Sequence, residues 1–179
     1  MPKSGQMLEM MEAVEADIML DETKTTYEMV AASLHLKDLD HEMLKIWGLN
    51  VIEASLIYNT MKQGLVDVEI NGYITAHYVD MFNQIKTLAA EKKDIESRQF
   101  IISFPVMHCI QSIQILYRHN RVIVILNMRS CDFKKKFLYD LFIAHSCGAD
   151  LAKEMGVEYE QIDMVVHIGS LHIYKEDVR

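Results

Sequence analysis

Met7, Leu8, Met11, Val14 and Ile18 recur at helical intervals among acidic and polar neighbours, close to the spacing of one helical face, and predict a helix over 6–20. The pattern changes over 26–36, where β-branched and aromatic residues in partial alternation predict an extended strand. Helical spacing returns over 38–58 and again over 77–90. A charged segment, Glu91 to Glu96, then precedes three apolar runs, 100–104, 109–117 and 122–126. Between the last two sits Arg118-His119-Asn120-Arg121, a polar break of hairpin length. Asn120 tolerates a left-handed conformation, so an antiparallel pair is expected. Phe137, Leu141, Ala144, Gly148, Leu151 and Met155 mark a long amphipathic helix that Gly156 is placed to end. A last strand runs from Ile162 to about Tyr174.

These elements predict an α+β protein, one mixed sheet with helices on it, in which the long helix after Phe137 is central and buried. No repeat, linker or boundary divides the chain, so a single domain over 1–179 is expected. Its 179 residues are enough to bury about two thirds of the surface of the unfolded chain. Half of them are hydrophobic and only 7 are Gly and 2 Pro, which excludes a disordered or low-complexity chain.

Charge narrows the partners. The 18 Lys and Arg against 26 Asp and Glu give a net charge of −8, which opposes nonspecific binding to nucleic acid or to an anionic membrane. A small anion can still be held by a few local arginines. Glu9, Glu12, Glu15 and Asp17 interrupt the first apolar run, so neither a signal peptide nor a membrane span is expected there, and the location expected is the cytoplasm. The three cysteines, Cys109, Cys131 and Cys147, show no C-x-x-C spacing; they are read as reduced, partly buried thiols rather than as a disulfide framework or a zinc site. His167 and His172, five apart, fall on opposite faces of a regular strand and make no metal pair. No phosphate-binding glycine loop, zinc-helix motif or Gly-x-Ser-x-Gly elbow is present. Lys134 to Lys136 reads as a solvated helix entrance.

Four motifs fall in a specific order: Ser97-Arg98 before a strand, Pro105-Val106-Met107-His108 after it, Asn127-Met128-Arg129-Ser130-Cys131-Asp132 between a strand and a long helix, and Gly169-Ser170-Leu171-His172-Ile173-Tyr174 near the end. In this order they resemble the thymidylate synthase and pyrimidine hydroxymethylase family, whose Arg-Ser-Cys-Asp or Arg-Ser-Ala-Asp motif the third repeats. The resemblance is best over 78–174. It implies a homodimer built on a broad sheet interface, with each site borrowing arginines from the partner, and a pyrimidine nucleoside monophosphate as ligand.

By that resemblance Arg129 and Arg98 are expected at the phosphate, Arg98 across the dimer, because a guanidinium binds phosphate in a fork. Ser130 would add a hydroxyl, Asp132 belongs to the same motif, and His172 and Tyr174, on one face of a strand, match the pair that contacts the sugar. Asp140, eleven residues after Arg129, stands where the family carries an asparagine for uracil or an aspartate for cytosine, and thus favours cytosine. Each assignment has a plainer alternative: surface ion pairs of Arg129 with Asp132 and of Arg98 with a nearby Glu, packing for His172 and Tyr174, and an exposed helical pair of Asp140 with Lys136.

The departures concern chemistry. Met107 stands where the family's Pro-Cys-His supplies a nucleophilic thiolate, and a thioether cannot form that adduct. Cys109 is displaced by about 6.6 Å along a strand, too far to react in its place. By the resemblance Glu53 stands for the catalytic glutamate of a Glu-Leu-Leu-Trp segment, whose tryptophan is absent here; a solvated helix carboxylate is the alternative. Gln99 replaces an arginine, Lys136-Phe137-Leu138-Tyr139 replaces Gly-Leu-Pro-Phe, and a C-terminal segment that closes over folate is expected to be missing. The leading expectation is a pyrimidine monophosphate-binding homodimer without folate-dependent methylation. The alternatives are an active thymidylate synthase- or hydroxymethylase-type transferase with another nucleophile, in which methylenetetrahydrofolate would be the cofactor, and a dimeric interaction module with a collapsed site. The small size suggests a phage-like origin.

Overall fold

The computed structural model describes residues 2–23, 25–64, 69–70, 73–74, 79–91, 94–105 and 108–178. Helix α1 (Pro2–Ile18) leads into strand β1 (Thr26–Leu36), then helices α2 (His41–Ile46) and α3 (Val51–Lys62), a small hairpin β2 (Glu69–Ile70) and β3 (Tyr73–Ile74), and helix α4 (Val79–Glu91). Strands β4 (Ile101–Ser103), β5 (Ile110–Arg118) and β6 (Arg121–Asp132) follow, then helix α5 (Phe137–Glu154), strand β7 (Gln161–Tyr174) and a closing 3-10 turn. The α+β expectation holds.

The main sheet has the order β1-β7-β6-β5-β4. Only the β6 and β7 pair is parallel, joined by the α5 crossover; the other neighbours are antiparallel. The turn between β5 and β6 puts both His119 and Asn120 at positive φ, 50° and 59°, the two-residue turn whose twist matches a hairpin. Gly156, at φ 65°, ends α5 as its position predicts.

One predicted helix divides. Over 38–58 the chain forms α2 and α3, because Gly48 takes φ 106° and Asn50 caps a new start by accepting from the Glu53 amide at 3.2 Å. Asp40 caps α2 likewise, accepting from Met43 N at 2.8 Å. The start expected for α4 at His77 lies outside the described residues.

Helix α5 is buried along most of its length and seats Gly148 on β6, where an added Cβ would come within 2.6 Å of Val124 Cγ2. This face of the sheet is the core. The opposite, outer face stays open along Ser33, His35 and His167. A polar row crosses it: Ser33 Oγ lies 3.1 Å from His167 Nδ1, and Asn127 Nδ2 donates to Ser112 Oγ at 3.0 Å.

A seam runs across four strands beside that row. Ile110 and Ile113, Met128 and Cys131, and Ile168 and Leu171 are buried on the core side, three residues apart where a flat strand demands two. The β5 register shifts between Ile110 and Ser112, and Ala31 of β1 takes φ 59° at the same level. The seam corrects one expectation: His167 and His172 both turn to the outer face, since the alternation reverses between them. They remain about 16 Å apart along the strand.

At the seam β7 approaches β6 so closely that a Cβ on Gly169 would lie 2.7 Å from the Arg129 carbonyl oxygen, a backbone atom that cannot yield. Gly169→Ala is therefore expected to cost about 1–3 kcal/mol in urea unfolding, whereas an unchanged midpoint would show that the two strands separate freely.

Candidate functional site

The C-terminal ends of β6 and β7 run side by side, with Ser130 opposite Ser170 and Asp132 opposite His172. Beyond the seam, Arg129 is exposed and Ser130 half-buried. Among the described residues Arg129 forms no ion pair with Asp132, so the plain ion-pair reading is corrected. Asp132 is occupied otherwise: its Oδ1 accepts from the amides of Lys134 and Lys135, both at 3.1 Å, and closes the turn into α5. Ser130 Oγ lies 3.6 Å from Sγ of Cys109, which is exposed. On β7, His172 and Tyr174 share a face as their spacing predicts, their rings meeting edge to face at 5.2 Å.

The basic run at the entrance to α5 is less uniform than its sequence suggests. Lys134 pairs with Glu15 and Lys135 with Asp177 at 2.7 Å, tying the turn to α1 and to the C-terminal turn. Lys136 is half-buried, its Nζ 4.4 Å from the centre of the Tyr73 ring, and burial lowers its pKa from the usual lysine value.

Asp140 is the most perturbed carboxyl of this region. It is not an exposed partner of Lys136 but lies in the first turn of α5 with 4% exposure. Tyr73 Oη donates to its Oδ1 at 2.7 Å, and Cys131 Sγ donates to its Oδ2 at 3.4 Å. Burial pushes the Asp140 carboxyl up to about 6, against the opposing pull of those two hydrogen bonds and of Lys136. The Cys131 thiol is raised well above its ordinary value by the same burial and by the neighbouring carboxyl.

Glu53 is not a freely solvated carboxylate either. It is half-buried and accepts from Tyr139 Oη at 2.5 Å, which ties α3 to α5 one residue before Asp140. Tyr139 and Tyr73 sit with ring centres 6.2 Å apart. Two carboxyls, two phenols, a thiol and an amine thus gather at the start of α5.

Arg98 does not join them within the chain. It lies with Arg118 at the hairpin end of the sheet, where Glu91, Asp94 and Glu96 line the same depression without pairing to it among the described residues. Arg129 stands eight residues farther along β6 than Arg121, on the order of 26 Å. Met107 and Val106 lie outside the described residues. Sequence reasoning missed Tyr73, and it read Cys131 only as a partly buried thiol and Lys136 only as an exposed partner of Asp140. Tyr73 falls in a stretch without periodicity, and only its phenol, 67 residues from Asp140, marks it.

No family model and no curated protein sequence matches the chain. Solved structures do. The thymidylate synthase of T4 phage superposes with a TM-score of 0.66 at 15% identity, over 94% of this chain and 77% of that one. The thermostable thymidylate synthase A of Bacillus subtilis gives 0.53 at 17% identity, over 93% and 79%. The fold is thymidylate synthase-like, and at these identities the likeness concerns the fold. No helix among the described residues is long and apolar enough to cross a membrane.

The raised Asp140 carboxyl has a signed consequence for stability. Its proton is held more tightly in the folded chain than in the unfolded one, so folding loses stability as pH rises from about 4 through about 6. Asp140→Asn should relieve up to roughly 3 kcal/mol at pH 7 and lose that advantage as pH falls to 4. Urea titrations of both proteins across this range check it; a pH-independent difference would contradict the buried, protonatable carboxyl.

Proposed function

We propose that this chain is a pyrimidine nucleoside monophosphate-binding protein, acting as a homodimer and without folate-dependent methylation. The observation that carries the reading is Arg129, exposed at the end of β6 and free of ion pairs among the described residues, with Ser130 beside it and His172 and Tyr174 on the neighbouring strand. An unpaired guanidinium next to a hydroxyl suits a phosphate, and the imidazole and phenol suit a sugar. Asp140 supplies a carboxyl for the amino edge of cytosine.

The homodimer reading rests on the open outer face of the sheet, where half-buried Leu116, Ile123, Ile125 and Val165 stand among polar neighbours. In such a pair the distant Arg98 of each protomer would serve the partner's phosphate. Chemistry with methylenetetrahydrofolate would lack its nucleophile. The thiol at Asp140 is Cys131, buried and held in its neutral form, whereas addition to a pyrimidine requires a thiolate. Met107 in the sequence points the same way.

A second reading, an interaction module with a closed site, is favoured by one observation: both Asp140 oxygens are already engaged within the chain.

Calorimetric titration with deoxycytidine, deoxyuridine and thymidine monophosphates separates the two. The expected result is binding that prefers the cytosine nucleotide and weakens roughly 10- to 100-fold in Arg129→Ala, the range of a charge-assisted contact. A dimer that binds none of them at millimolar concentration would favour the interaction module.

A further inference from the structure

Asp140 has the chemistry to read a base, yet each of its oxygens already accepts a hydrogen bond within the chain. Its Oδ1 is taken by the Tyr73 hydroxyl at 2.7 Å and its Oδ2 by the Cys131 thiol at 3.4 Å. The Tyr73 bond has the form that a cytosine amine would make: a neutral donor directed at a carboxyl oxygen. Resting on the nucleotide-binding reading, we propose that the Tyr73 phenol is an internal occupant of the base subsite. A pyrimidine reaches Asp140 only by displacing it, and Tyr73 thereby sets both affinity and base preference.

The anchoring of Tyr73 suits such an exchange. It stands on β3, outside the five-stranded sheet, in a hairpin whose described residues pair Glu69 with Ile74 and Ile70 with Tyr73. An isolated two-stranded hairpin has little stability apart from what its side chains pack against. Tyr73 is 4% exposed, and among the contacts that hold it are Asp140, the Lys136 carbonyl oxygen at 3.3 Å, the Lys136 amine over the ring and the Tyr139 ring. These groups belong to the first turn of α5 and the residue before it, so the phenol is held from outside the five-stranded sheet.

The exchange also discriminates. Cytosine presents an amine that replaces the phenol donor one for one. Uracil presents a carbonyl at that position, an acceptor that cannot replace it unless the carboxyl carries a proton. Removing the phenol oxygen should therefore help cytosine more than uracil.

Tyr73→Phe keeps the ring and deletes the competing donor. Calorimetry should show deoxycytidine monophosphate binding about tenfold tighter than to the wild type, with a smaller gain for deoxyuridine monophosphate. A ligand-free measurement accompanies it. Cys131 is sealed behind the same carboxyl, so its alkylation by iodoacetamide, followed by peptide mapping, should accelerate in Tyr73→Phe. Cys147, deep in the core beside Met81, should stay protected in both proteins and so report that the fold is intact. Wild-type binding through Arg129 combined with unchanged or weaker affinity in Tyr73→Phe would overturn the proposal and leave the nucleotide reading standing. Faster Cys131 labelling with no pyrimidine binding by either protein would overturn the nucleotide reading and leave Tyr73 as the group that closes the pocket.

Discussion

The approach of β7 to β6 at Gly169 is the constraint on which the candidate site depends. With a Cβ there the strands would collide at the Arg129 carbonyl. Without one, they stay in register on both sides of the seam while their side-chain alternation reverses. That reversal exposes Arg129, buries Cys131 against α5, and puts Ser130 within reach of Cys109. A flat sheet would have sent Cys131 and Arg129 to the same face. The register shift of β5, the positive φ of Ala31 in β1 and the close approach at Gly169 lie at one level of the sheet.

The second organising feature is a buried polar network at the start of α5. Interiors tolerate a carboxyl when its hydrogen-bonding capacity is met, and here a phenol and a thiol meet it. The cost of burial is moderated further by the proton that Asp140 holds up to about 6. Glu53 and Tyr139 form a parallel arrangement one residue away, linking α3 to α5. Both pairs draw helices and the small hairpin toward the end of β6, so the chemistry of the region and the cohesion of its elements come from the same side chains.

The chain therefore combines a thymidylate synthase-like fold with a site arranged in its own way. Arg129 and Ser130 stand on β6 opposite Gly169 and Ser170 of β7, with His172 and Tyr174 farther along that strand. Arg98 stands apart, at the far end of the sheet. Asp140 and Glu53, each with a plausible solvated role in the sequence, prove to be tied to tyrosines.

Local pattern alone determined most of the elements: β1 from Thr26 to Leu36, the β5 and β6 hairpin, α5 with its Gly156 stop, and β7 all follow from periodicity and turn chemistry. The division of α2 from α3 was also written locally, in Gly48 and Asn50, though the apolar spacing across 38–58 obscured it. What only the tertiary structure decided was the facing of residues at the seam and the partners of the buried carboxyls. The reversal at Gly169 depends on how close two strands come, and strict alternation cannot express it. Tyr73 meets Asp140 across 67 residues and Tyr139 meets Glu53 across 86, contacts made by the folding of separate elements against one another. Periodicity reports which face of an element is apolar; it carries no information about which distant side chain will stand opposite.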